Sequence, residues 1–324
     1  GYKYMDSVLK TFDEKLRAAR SVAIFAHKNP DGDALCSVLA LARLIEMNYG
    51  RRPLCVYDGN IPDALDNVPD RNRIQFYSRI DMARPFDVAI VLDYGTARNI
   101  GGPMPVLENA KYTIEIDHHI NDAHVAELCI DDDSAAATGV IIYQIMRALG
   151  WQSDADVASL IALTILTDTG FFKYVRPGNG AVLNIMADLV NDGVNIAELA
   201  DGMNNKPRRA IQTEAAVVAN AEFLFHGHLA LATVEKKDYK HLDGRGELIL
   251  GLLAQIKGVE YVALLKQQKE NQIGVSLRGR MRPVDHIAAA LGGGGHTYAA
   301  GAVVNDTLEN VHSRIVELFK GEKL

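Results

Sequence analysis

The sequence predicts an α/β protein: a mostly parallel sheet with helices on both faces, then a smaller C-terminal α/β domain, with a cleft between them. Three observations carry that expectation. Over residues 1–195, short apolar runs alternate with stretches of helical periodicity, the pattern of strands joined by helical crossovers. Clusters of acidic and histidine residues close several of those runs, and ligands gather beyond the carboxyl ends of such strands. After residue 215 the texture changes, and a second, smaller set of strand-like and helical runs begins.

Val22–Ala26 is an apolar run followed by a loop and by the periodic stretch Ala34–Met47, which reads as strand, loop, helix. Leu54–Tyr57, Val88–Leu92 and Tyr112–Ile116 are further short β-type runs. Ser134–Leu149 and Asp154–Thr167 have helical periodicity. Ser134 or Thr138 is placed to cap the first, and Ser153 or Asp154 the second. Ala181–Val190 and Arg208–Asn220 are also helical, and the latter, free of glycine and proline, reads as a connector. The expected division is therefore 1–195, a helical linker at 196–215, and 216–324. In the last part Leu229–Val234, Tyr261–Lys266 and Ile273–Leu277 read as strands, with Gly246–Ile256 and Val284–Leu291 as helices.

A chain of 324 residues exceeds what one core usually serves. Its 48% hydrophobic and 23% charged content is that of an ordinary globular protein. A net charge of −7 (34 basic against 41 acidic residues) argues against a broad grip on long duplex nucleic acid. The three cysteines, Cys36, Cys55 and Cys129, lack disulfide or metal spacing, which points to a reducing, cytoplasmic setting. No apolar run approaches the roughly 20 residues that cross a bilayer. The opening GYKYMDSVLK is too polar for a secretory signal.

Four clusters carry the chemistry: His27-Lys-Asn-Pro-Asp31-Gly-Asp33, Leu92-Asp93-Tyr94, Asp117-His118-His119, and Leu166-Thr167-Asp168-Thr169. They offer hard oxygen and imidazole donors enough for two divalent cations, a pair suited to attack on a phosphate ester. The turn at Pro30 and Gly32 lets His27 and one carboxylate meet one ion while the second carboxylate reaches the other. Asp93, at a strand end, is the best candidate to bridge them, with His118 and Asp168 completing the second ion. Such donors favour Mn²⁺, with Mg²⁺ the alternative. Taken alone, Asp-Gly-Asp after proline is an ordinary turn and helix start; it is the combination that points to a metal centre.

These motifs resemble those of the DHH/DHHA1 phosphoesterase superfamily, and within it the two-domain nano-RNase and pAp-phosphatase type, over nearly the whole chain. Ala26–Ala34 resembles the first motif, Asp93 the second, Asp117-His118-His119 the third and Thr167–Gly170 the fourth. The resemblance implies that His27, Asp31 and Asp93 hold one Mn²⁺ and that Asp33, Asp93, His118 and Asp168 hold the other. It makes Asp93 and His119 the catalytic residues, His119 acting on the phosphate or leaving group rather than as a ligand. Cys36 stands where such relatives often carry glycine; a small, buriable residue there changes packing rather than activity. A homodimer is compatible with the family.

Leu291-Gly-Gly-Gly-Gly295-His296 is the second strong signal. Consecutive glycines free backbone N–H groups to face an anion, and a helix starting at His296 would add its dipole. The stretch resembles the DHHA1 signature, which makes Gly293, Gly294, Gly295, His296 and Arg278 substrate contacts, Arg278 forking onto a phosphate. Arg98, five residues past Asp93, is a further candidate. Asp131-Asp132-Asp133 reads as a solvated turn, and His124, His226, His228 and His286, lacking partners at ligand spacing, as structural.

The reading is a Mn²⁺-dependent phosphodiesterase acting on short oligonucleotides and linear dinucleotides such as pApA or pGpG, with pAp as a companion substrate. It needs no membrane and no long duplex. An exopolyphosphatase or pyrophosphatase, which requires a strongly basic second lobe, is the first alternative, and a non-catalytic nucleotide-binding protein the second.

Overall fold

The computed structural model describes residues 2–120, 123–175, 177–242 and 246–322, side chains from residue 7 onward. The chain divides into two compact units, 1–205 and 206–324. The stretch 196–215, read from sequence as a linker, holds two helices, one in each unit.

The first unit contains strands β1 (Val22–Phe25), β2 (Leu54–Tyr57), β3 (Ile74–Phe76), β4 (Val88–Leu92), β5 (Thr113–Asp117) and β6 (Leu128–Asp131). Its helices are α1 (Tyr2–Ala18), α2 (Gly32–Tyr49), α3 (Met104–Asn109), α4 (Thr138–Leu149), α5 (Ala155–Asp168), α6 (Ala181–Asn191) and α7 (Ile196–Asn204). The strands form one parallel sheet in the order β3-β2-β1-β4-β5-β6. Alternation along each strand divides the core. Val22, Ile24, Val88, Ile90, Ile114 and Ile116 pack with α2, α4 and α5, whereas Ala23, Phe25, Ala89 and Val91 pack with Val106 and Leu107 of α3. The strand order turns back between β1 and β4, which leaves a crevice at their carboxyl ends.

Two glycines let the helices close on that crevice. A Cβ on Gly32 would lie 2.3 Å from Thr167 Cγ2 at the end of α5. One on Gly139 would lie 1.8 Å from Thr164 Oγ1, so α4 and α5 touch where no side chain fits. Gly139→Ala is expected to destabilise by about 1–3 kcal/mol, the usual cost of overpacking. Denaturant titration checks this, and an unchanged midpoint would contradict the close approach.

The helix expected from Ser134 begins only at Thr138, and neither Ser134 nor Thr138 caps it. Ser134 instead donates to Asp132 in a turn (Oγ–Oδ1, 2.5 Å). The cap comes from Asp33 on α2: its carboxylate accepts from Thr138 N at 2.7 Å and Gly139 N at 3.2 Å. Asp154 caps α5 through Val157 N.

The second unit contains α8 (Arg208–Ala219), β7 (Glu222–Leu224), β8 (Leu229–Val234), α9 (Lys236–Tyr239), α10 (Glu247–Ala254), β9 (Tyr261–Lys269), β10 (Gln272–Gly279), α11 (Asp285–Ala290), β11 (Gly294–His296), β12 (Ala299–Val304) and α12 (Leu308–Lys320). Its sheet runs β11-β12-β10-β9-β8-β7, antiparallel except for the β8–β9 pair. One face packs on α11 and α12, the other on α8 and α10.

No helix begins at His296, contrary to the sequence reading. Gly294-Gly295-His296 pairs with Ala299-Ala300-Gly301 in a hairpin, because the facing residues are as small as the glycines. The N–H groups of Gly292 and Gly293 go to the Ala289 and Ala288 carbonyls at the end of α11, both at 2.9 Å. Those two amides end a helix rather than face an anion.

Candidate metal centre

Six side chains in or beside β1, β4, β5, α2 and α5 converge at the crevice, Asp31 as the N-cap of α2. His27 follows β1. Its Nδ1–H donates to the Lys28 carbonyl at 2.9 Å, which leaves Nε2 as the free nitrogen, 3.7 Å from Asp31 Oδ1 and 3.8 Å from Asp93 Oδ2. His118 follows β5, and its Nδ1 faces the Ala135 carbonyl at 3.3 Å. Its Nε2 lies 3.2 Å from Asp168 Oδ2, 3.4 Å from Asp93 Oδ1 and 3.6 Å from Asp33 Oδ2.

The donors fall into two groups, His27–Asp31–Asp93 and Asp33–His118–Asp168, each with its donor atoms within 4.8 Å of one another. Asp93 turns Oδ2 to the first group and Oδ1 to the second. Its own backbone is left-handed, with φ of +47°, a conformation aspartate tolerates better than most residues. Thr138 Oγ1 donates to Asp93 Oδ1 at 3.2 Å and steadies it. Sequence reasoning saw Thr138 only as a cap.

The donor chemistry fits two divalent cations. Asp33 and Asp93 are almost wholly buried, yet among the described residues no lysine or arginine pairs with Asp33, Asp93 or Asp168. Asp33 accepts three hydrogen bonds, the third from Ser37 Oγ at 3.0 Å. They do not suffice: burial, then Asp93 and Asp168, push its pKa well above the carboxylate range. Burial and Asp93 push Asp168 up as well, against the pull of His118. The acids act on the rings in turn. Burial favours neutral His118, but Asp168, Asp93 and Asp33 outweigh it and hold the ring up to about 12. For His27, burial is likewise outweighed by Asp31 and Asp93, giving about 9.

A cation must displace those protons to reach Nε2. Mn²⁺ binding to the metal-free protein is therefore expected to release protons. Affinity should rise with pH through about 9, as His27 loses its competing proton, and go on rising while His118 still holds its own. Titration calorimetry in buffers of different ionisation enthalpy reads this, and a proton count of zero would contradict it.

Asp117 is not among the donors. Fully buried, it accepts from Tyr94 N (3.2 Å) and Gly95 N (2.8 Å) through Oδ2, and from His119 N (3.1 Å) through Oδ1. The same Oδ1 takes the His119 Nδ1–H at 2.7 Å. That bond leaves His119 Nε2 free and raises the ring's pKa. His119 Nδ1 is also 3.5 Å from Asp93 Oδ1, so the third histidine stands at the edge of the cluster.

Arg98 is exposed on the single turn Ala97–Asn99. In the second unit, Arg278 on β10 is held by Glu247, with Nη2 2.8 and 3.0 Å from its two oxygens. Gly293, Gly294, Gly295 and His296 are exposed on the hairpin arm. Two readings of the sequence fail here. His124 does have partners, Glu115 and Asp131, because residues 124–126 lie against Glu115. Asp131 is the last residue of β6 with its oxygens buried, not part of a solvated turn.

No helix of the described residues is long and apolar enough to cross a membrane. The chain matches the model of the DHH family, N-terminal domain, over residues 21–165 and that of the DHHA1 domain over 233–321. A bifunctional oligoribonuclease and PAP phosphatase NrnA of Thermus thermophilus is 29% identical over 312 residues, 95% of this chain and 92% of the relative. A probable enzyme of the same name from Streptococcus mutans is 25% identical, covering 97% of this chain and all of its own length, 100%. A solved structure of an exopolyphosphatase-related protein from Bacteroides fragilis, 23% identical, shares the fold with a TM-score of 0.88 over 97% of each chain. With both domain models matched in order, the chain belongs to the DHH/DHHA1 superfamily of phosphoesterases.

Proposed function

We propose that this protein hydrolyses the P–O3′ bond of short oligoribonucleotides and linear dinucleotides such as pApA or pGpG, releasing 5′-mononucleotides, and removes the 3′-phosphate of pAp. Both substrate types break the same bond, and in both the departing atom is a ribose 3′-oxygen. The observation that carries the reading is the convergence of His27, Asp31, Asp33, Asp93, His118 and Asp168 into two donor groups joined through Asp93. The substrate class is supported by the named activities of the Thermus and Streptococcus relatives.

In this reading His27, Asp31 and Asp93 hold one divalent cation and Asp33, Asp93, His118 and Asp168 the other, Mn²⁺ by donor chemistry. When bound, such a pair supplies charge neutralisation at phosphorus and a water of lowered proton affinity. The protein's own part is to fix the acceptors. Asp33 is clamped by the start of α4, Asp93 by Thr138, and His118 by the Ala135 carbonyl. His119, anchored by Asp117 and with its pKa raised by that carboxylate, offers Nε2–H to the departing 3′-oxygen.

Arg278 binds a substrate phosphate, with Glu247 holding the guanidinium in place beforehand. Arg278→Ala is expected to raise KM by roughly tenfold, about 1.4 kcal/mol, with a smaller change in kcat. An equal loss of kcat on a substrate lacking the terminal phosphate would contradict that role. The function itself is tested with pure protein, Mn²⁺ and a panel of 2–5-mer RNA, pAp and polyphosphate. Mononucleotides from RNA and AMP from pAp are expected. No product above the metal-free control, or turnover of polyphosphate alone, would overturn the reading.

A further inference from the structure

A second group of metal-ligating side chains lies apart from the six at the crevice, on the sheet face opposite Ile114 and Ile116. Glu115 is fully buried in the middle of β5, and Cys129 is its register partner on β6, with Asp131 two residues on. Residues facing each other across a sheet, or two apart on one strand, share a face. His124 lies on the same spot, next to Val125 and Ala126, which also bond Glu115. Glu115 Oε2 accepts from Val125 N at 2.8 Å and Ala126 N at 3.1 Å, and Oε1 meets His124 Nδ1 at 2.5 Å.

The hydrogen-bond accounting does not close. Nδ1 of a histidine carries one hydrogen, and here Glu115 takes it. Asp131 Oδ2 is 3.3 Å from the same nitrogen, and both Asp131 oxygens are buried without a hydrogen-bond partner. The Tyr94 hydroxyl, in a side chain 1% exposed, also makes no hydrogen bond of good geometry, although Glu115 and Asp131 both act on it. A buried, unmatched polar set of this kind is destabilising unless something satisfies it. One donor atom from each of Glu115, His124, Cys129 and Asp131 lies within 4.8 Å of every other.

We propose that Glu115, His124, Cys129 and Asp131 form a third cation site, distinct from the pair at the crevice, that takes Zn²⁺ or a similar borderline metal. Two carboxylate oxygens, an imidazole nitrogen and a sulfur make the four-donor mixture that suits Zn²⁺. The sulfur sets this site apart in kind, because Mn²⁺ and Mg²⁺ prefer donors without it. Binding would displace the Cys129 thiol proton and the Nδ1 proton of His124, and would put a cation where Asp131 now faces only that imidazole. The four ligands come from β5, from the loop following His118-His119, and from β6. A cation there clasps the segment that carries both histidines. The rival account is a proton shared between Glu115 and Asp131, whose carboxyl burial and then Glu115 push up to about 7.

Cobalt separates the two, because a thiolate bound to Co²⁺ gives a near-ultraviolet charge-transfer band and the six crevice ligands include no sulfur. Titrating the metal-free protein with Co²⁺ should produce that band, with a final intensity of one thiolate-bound Co²⁺ per chain. Excess Zn²⁺ should abolish it and excess Mn²⁺ should leave it. The band should persist in Asp93→Asn and Cys36→Ser, and disappear in Cys129→Ser and in His124→Ala. His124 lies on an exposed loop, so that variant keeps the test available should the cysteine change perturb folding. No band in the unaltered protein, a band that survives both Cys129→Ser and His124→Ala, or one lost with Cys36→Ser, would overturn the proposal.

Discussion

Asp93→Asn is expected to lower kcat by ~10³ or more on every substrate, because it removes the carboxylate that faces both donor groups. A Lewis-acid pair contributes several kcal/mol to transition-state stabilisation, and a loss on the order of 4 kcal/mol is about a thousandfold. The fold should survive. Asp93 sits among other buried acids, so removing its charge relieves repulsion in the metal-free protein. The informative readout is the melting temperature with and without Mn²⁺. Ligand at a hundred times its Kd stabilises by about 2.7 kcal/mol, and the variant should lose most of that gain. Near-normal turnover, or an unchanged Mn²⁺-induced shift, would remove Asp93 from its bridging role.

His119→Ala is expected to lower kcat by about 10²–10⁴ while Mn²⁺ content stays the same, since a positioned proton donor contributes in that range. The pH profile gives the sign. Asp117 raises the His119 pKa, so the ring is charged below that raised value and loses its proton as pH climbs through it. Activity that needs Nε2–H therefore has an alkaline limb, which should vanish in the variant, leaving a lower and flatter profile there. Loss of bound Mn²⁺ in His119→Ala would instead make His119 a ligand.

Much of the fold was readable because each signal was local. Val22–Phe25 and Val88–Leu92 are apolar on both alternating faces, which a covered parallel strand requires. The polar residues that end those runs, His27 and Asp93, could then be placed at one edge of the sheet. What stayed hidden depends on contacts across long separations. Asp33 caps α4 from 105 residues away, so the helix start was sought at Ser134, the nearest residue of capping type. Asp117 read as part of a metal motif, but its role is to gather three backbone amides and the His119 ring. The glycine run became a strand because Ala299-Ala300-Gly301 faces it, a pairing that a local glycine count does not reveal. Glu115 and His124 meet across nine positions of chain, and neither looks unusual in the linear sequence.

Anomalous diffraction from Mn²⁺-soaked crystals reads whether the six side chains hold two cations through a shared Asp93. Two peaks about 3.5–4 Å apart are expected, one beside His27 and Asp31, the other beside Asp33, His118 and Asp168, with Asp93 touching both. A single peak, or none among these residues at saturating Mn²⁺, would contradict it.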